Sequence, residues 1–106
     1  MVLTEDFRQT ILRRARRDAG FRVALLQEAI ECIAAGELEV GKSMLRNYIN
    51  ASLGFDALGA AIGKSPKSVM RMFGPKGNPT SANLSNILAC LQEREGVCFS
   101  VRTHRR

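Results

Sequence analysis

The chain has 106 residues, 45% of them apolar and 25% charged, with a formal net charge of +6. That length suits one domain around one core, and the cationic balance favours nucleic acid as a partner over a membrane surface, since no helix combines a basic polar face with exposed large aromatics; no apolar run is long enough to span a bilayer. Cys32, Cys90 and Cys98 show no C-x-x-C spacing and the one histidine, His104, lies near the C-terminus, so no metal or other cofactor is expected.

Thr4 predicts the N-cap of a first helix that runs to Arg17, with Glu5 and Asp6 at the positive end of its dipole. Phe7, Ile11 and Ala15, with Leu12, form its expected inward stripe. Arg8, Arg13, Arg14, Arg16 and Arg17 crowd the remaining surface, either as a solvated face or as an arm for phosphates or an acidic protein. A second helix is expected over 21–35, with Phe21, Leu25, Ala29, Cys32 and Ile33 inward and Gly36 as its stop. Residues 1–36 therefore read as a helical hairpin packed on a unit formed by 37–106. The first helix of that unit is expected over 37–52, with Val40, Met44, Leu45, Tyr48 and Ile49 inward. Tyr48, the one tyrosine, suits a packed ring with a hydrogen-bonded hydroxyl.

The stretch 55–73, FDALGAAIGKSPKSVMRMF, is the most informative. Phe55, Leu58, Ala61 and Ile62 make the apolar face of a short helix, and Gly63 can enter the left-handed conformation that ends it. Ser65 then caps a new helix with Pro66 at its first position, where the missing N–H is no loss. Val69, Met72 and Phe73 point inward, and Gly74 and Pro75 stop the helix. Two short helices joined by a glycine turn are a helix-turn-helix. Lys67, Ser68 and Arg71 lie on the outer side of its second helix and Lys64 in the turn, all able to reach phosphates or the acceptor edges of bases in a major groove. No Asp or Glu occurs from Ala57 through Gln92, where the charges are Lys64, Lys67, Arg71 and Lys76.

Residues 74–79, GPKGNP, form a loop on residue type alone, with Lys76 and nearby backbone N–H groups able to meet a DNA backbone. Thr80 or Ser81 caps a last helix with Leu84, Ile87, Leu88 and Leu91 inward, ended by Gly96. Val97, Phe99 and Val101 then alternate with Cys98, Ser100 and Arg102, which predicts a short β-strand. A lone strand is unstable, so it needs a second copy or a partner's sheet edge.

Leu58, Ala61, Gly63, Ser65 and Val69, followed by the GNPT loop and an apolar helix, resemble the Cro/cI-type, λ-repressor-like helix-turn-helix regulators. Two positions depart from that pattern: Lys64 stands where an aliphatic residue is usual, and Pro66 where a glutamine often reads adenine. The resemblance implies an all-α, λ-repressor-like bundle, here with an extra N-terminal helical hairpin and a short C-terminal strand. Its DNA-binding residues would be Lys64, Ser65, Lys67, Ser68, Arg71 and Lys76. The layout of residues 37–102 also looks like antitoxins of the HigA-type addiction-module class. That likeness implies a cytoplasmic homodimer on a pseudo-palindromic operator in double-stranded DNA, autorepression, and a small toxin as protein partner. MVLTEDF lacks the features of a secretory leader, which agrees with a cytoplasmic location. No phosphate-binding loop, nucleophile elbow or paired carboxylates occur, so enzyme activity is not expected, and the acids read as surface charges. The alternative from another class is a protein-interaction module whose helix-turn-helix is only structural.

Overall fold

Side-chain caps set four of the helix starts. The Thr4, Asp18, Ser65 and Thr80 side chains each accept a backbone N–H three residues on, from Phe7, Phe21, Ser68 and Asn83 respectively, which satisfies donors that the first turn leaves free. The computed structural model describes residues 4–106. Its helices are α1 (Glu5–Arg17), α2 (Ala19–Ala34), α3 (Leu38–Ala51), α4 (Gly54–Ile62), α5 (Pro66–Met72) and α6 (Ser81–Glu95). The described residues are all-α. None of these helices is long and apolar enough to cross a membrane.

One buried cluster joins five helices. Leu26 and Ala29 of α2 meet Leu45, Tyr48 and Ile49 of α3, Phe55 and Leu58 of α4, Val69 of α5 with Phe73 just past its end, and Ile87 and Leu91 of α6. A smaller cluster, Leu12, Ala15 and Ala51, fastens α1 to α3. The α1–α2 hairpin thus shares its packing with the remainder of the chain.

Three inward assignments are overturned, and α2 gains a buried residue. Phe7 is 52% exposed, because α1 is fastened by Leu12 and Ala15 and its first turn lies beyond that contact. Leu26 is fully buried with Ala29, while Ile33 and Leu25, half-buried, pack against the larger and the smaller cluster, and Phe21 and Cys32 are half-buried. Val40 is 51% exposed, and Gly41 and Lys42 take the buried places beside it. On α4, Ala61 faces outward and Gly59 is buried, which restores the spacing Phe55, Leu58, Gly59, Ile62.

The expected C-terminal strand does not form. Residues 97–106 carry no strand, and no strand occurs elsewhere among the described residues. The reason is the one that makes lone strands unstable: every other described element is helical, so the chain offers no edge for the ladder. The alternation survives in burial alone. Val97 and Phe99 are half-buried, Cys98 and Ser100 exposed, and the Phe99 N–H donates to Gln92 Oε1 at 2.8 Å. Val101, at 93% exposure, is covered by nothing.

Two buried charges tie the helices together. Glu95 closes α6 with its side chain only 8% exposed, which corrects the reading of all the acids as surface charges. Arg22 Nε donates to its Oε2 at 2.9 Å and the Tyr48 hydroxyl donates to the same oxygen at 2.5 Å. Arg22 also donates to the Ala15 and Arg16 carbonyls at the end of α1. Burial pushes the Glu95 carboxyl up, but the hydrogen bonds from Arg22 and Tyr48 outweigh it and hold the group below its ordinary value. Burial, reinforced by the carboxylate, pushes the Tyr48 phenol well up. Lys42 of α3 is the second case, 2% exposed. Its ammonium has three protons and meets three acceptors: Gly77 O at 2.5 Å, Asn78 Oδ1 at 3.3 Å and Glu39 Oε2 at 3.0 Å.

Candidate nucleic-acid interface

The α4–turn–α5 unit is built as its residues suggest. Gly63 ends α4 at φ 71°, ψ 35°, a left-handed conformation costly for any side chain. The Lys64 N–H donates back to the Gly59 carbonyl at 2.8 Å, closing the turn. Ser65 is extended, its Oγ accepts the Ser68 N–H, and Pro66 opens α5. Val69 (0% exposed) and Phe73 anchor α5 inward, and the Phe73 ring lies tilted 6.3 Å from that of Phe55. An aromatic pair in that geometry adds about 0.5–1.5 kcal/mol beyond burial.

That anchoring fixes what faces out. Lys67 and Arg71 are exposed and, four residues apart, lie one above the other on α5. Met70, at 51% exposure, falls on the same face. It was missed in the sequence because methionine next to Val69 and Met72 reads as core, although its offset from Lys67 and Arg71 places it with them. Lys64 is exposed in the turn and Lys76 in the following loop. The two serines differ from the cations: Ser65 spends its hydroxyl on the cap, and Ser68 is half-buried.

The loop after α5 is held from two sides. A Cβ on Gly77 would overlap the Arg71 carbonyl oxygen, so only glycine lets the loop fold back against the end of α5. From the other side, Lys42 grips Gly77 and Asn78. Lys76, just before this clamp, is therefore presented from a fixed stretch of backbone. Nothing in the sequence marked Lys42 as the clamp, since a lysine two residues after Val40 reads as solvent-facing.

Electrostatically the unit is one-sided. Lys64, Lys67, Arg71 and Lys76 carry four positive charges with no carboxylate between Ala57 and Gln92. Chemically this surface can bind a polyanion. Among the described residues, no three of His, Cys, Asp or Glu gather closely enough to hold a metal ion. No protein-family model, curated protein or solved structure matches the chain.

Proposed function

We propose that the protein is a sequence-specific binder of double-stranded DNA in which α4 and α5 act as a helix-turn-helix and α5 enters the major groove. The observation that carries this reading is the acid-free outer face of α5, with Lys67, Met70 and Arg71 projecting from a helix anchored by Val69 and Phe73. Arg71 and Lys67 suit guanine O6 and N7 or flanking phosphates, and Met70 suits an apolar contact with a thymine methyl. Lys64 and Lys76 flank the helix and suit the phosphate backbone. Within this reading α3–α6 form a λ-repressor-like unit, and the α1–α2 hairpin is an addition packed on it.

The likeness to HigA-type antitoxins extends the proposal. The protein acts as a cytoplasmic homodimer on a pseudo-palindrome, represses its own operon and neutralises a small toxin. One α5 per subunit reads successive major grooves. A second copy supplies the edge that residues 97–103 lack. Deleting residues 97–106 is then expected to shift the protein towards monomer in sedimentation, while replacing Arg102, Arg105 and Arg106 alone leaves the dimer. A deletion variant that dimerises as tightly as the whole chain places the interface elsewhere.

The test of the reading helix is direct. Arg71→Ala and Lys67→Ala are expected to keep the fold, since both side chains are exposed, and to lose binding to the protein's own upstream DNA by roughly 1–3 kcal/mol per subunit. Unchanged affinity of both variants at fixed salt removes α5 as the reader.

A further inference from the structure

Among the described residues, Arg46 is the one cation of α3 with no hydrogen-bond or ion-pair partner. Its Nε is buried with no hydrogen-bond acceptor. It takes no part in the ion pairs among the described residues, which are Arg14–Asp18, Arg22–Glu95 and Lys42–Glu39. A buried guanidinium nitrogen left unpaired is costly and calls for an acceptor from somewhere. Arg46 lines a cavity of about 180 Å³ together with Glu39, Lys42, Ser43, Phe73 and the Gly74–Pro75 start of the loop. Lys42 and Glu39 offset one another there, so the uncompensated charge of the cavity is that of Arg46. A second cavity, about 270 Å³, makes the contrast: the Arg22 on its wall is already bonded to Glu95 and to two carbonyls.

We infer that this cavity, between α3 and the end of α5, takes a phosphate of the DNA backbone, with the Arg46 guanidinium and the Ser43 hydroxyl as its donors. The inference rests on the DNA-binding reading and adds to it a contact from outside the helix-turn-helix. Three features select a backbone phosphate. The planar guanidinium matches two phosphate oxygens at once. One wall of the cavity is the Gly74–Pro75 start of the loop that presents Lys76, and the one carboxylate of the lining, Glu39, is already engaged by Lys42. The loop itself is clamped by Lys42 one turn before Arg46 on α3, so donor and wall are held by the same helix. Half or more of protein–DNA hydrogen bonds go to phosphate and sugar, and such contacts set the register of a reading helix.

Two measurements test it on the intact protein. In the first, the Arg46 Nε–H resonance is followed by NMR while a short mixed-sequence DNA duplex is added to the unmodified protein. The expected result is a shift of that signal together with the α5 amides. In the second, the affinity of the Arg46→Gln protein for the same duplex is measured against salt. Losing one phosphate contact is expected to reduce the slope of log affinity on log salt by about 0.9 per subunit, with equal weakening on specific and mixed-sequence DNA. If the α5 amides shift but the Arg46 signal stays fixed and the slope is unchanged, the inference fails while the DNA-binding reading stands. If no α5 signal moves either, the reading fails and takes the inference with it.

Discussion

Val69→Asp is expected to abolish cooperative folding, not merely to weaken DNA binding. Val69 is 0% exposed and belongs to the cluster of Phe55, Leu58 and Phe73 that seats α5 on α4. A carboxylate placed there has no cationic partner among those side chains, and burying an unpaired charge costs several kcal/mol. A domain of this size has about 5–15 kcal/mol in total, so the loss approaches the whole. Thermal unfolding followed by circular dichroism decides the matter. A cooperative melt at the temperature of the unmodified protein shows that Val69 does not face inward.

Glu95→Ala has the next largest expected effect. Removing the carboxylate leaves Arg22 without its main partner and the Tyr48 hydroxyl, on a residue 1% exposed, without its acceptor. Opening a buried pair costs roughly 3–5 kcal/mol, and the low end applies because the Arg22 side chain is 22% exposed and water replaces part of what is lost. Chemical denaturation is expected to register this loss. A change in stability below about 0.5 kcal/mol, the scale of an ordinary surface substitution, contradicts a buried role for Glu95.

The same cluster sets a pH dependence at both ends. The folded Glu95 carboxyl titrates below its ordinary value, so the unfolded chain binds the proton first as pH falls. Its stabilising contribution is full above the ordinary carboxyl range near 4.3 and is lost as pH drops through the lower folded value. The folded Tyr48 phenol titrates above its ordinary value, so the unfolded chain releases that proton first, and stability declines as pH rises past about 10. Glu95→Gln is expected to flatten the acid limb of a stability–pH curve. An acid limb of unchanged steepness assigns the acid sensitivity to other groups.

The helical layout was legible because its signals are local. Thr4, Ser65–Pro66 and Thr80 mark helix starts, Gly63 and Gly96 mark ends, and the apolar spacing of 84–91 marks one face. These signals act within one or two turns, and the helices follow them closely. The turn and the outward cations of α5 were legible for the same reason. The C-terminal segment shows where local signals stop: alternation in 97–101 specifies which side chains face inward but does not supply a neighbouring strand. Lys42, Arg46 and Glu95 were hidden for a related reason. Their burial depends on a loop and on helix ends that lie far along the chain, and a charged residue reads as surface until those partners are placed. Phe7 and Val40 failed in the opposite sense, as apolar residues on helices whose contacts are made elsewhere along their length.

Whether the outer face of α5 lies in the major groove is tested most directly by methylation protection of guanine N7, a major-groove atom, on the DNA upstream of the protein's own coding sequence. The expected pattern is two protected patches separated by roughly one helical turn, 10–10.5 base pairs, on a pseudo-palindrome. One guanine in each patch is expected to lose its protection with the Arg71→Ala protein while the others keep theirs. Protection confined to the minor-groove N3 of adenine, or a guanine pattern identical for the unmodified and Arg71→Ala proteins, contradicts the placement of α5 in the major groove.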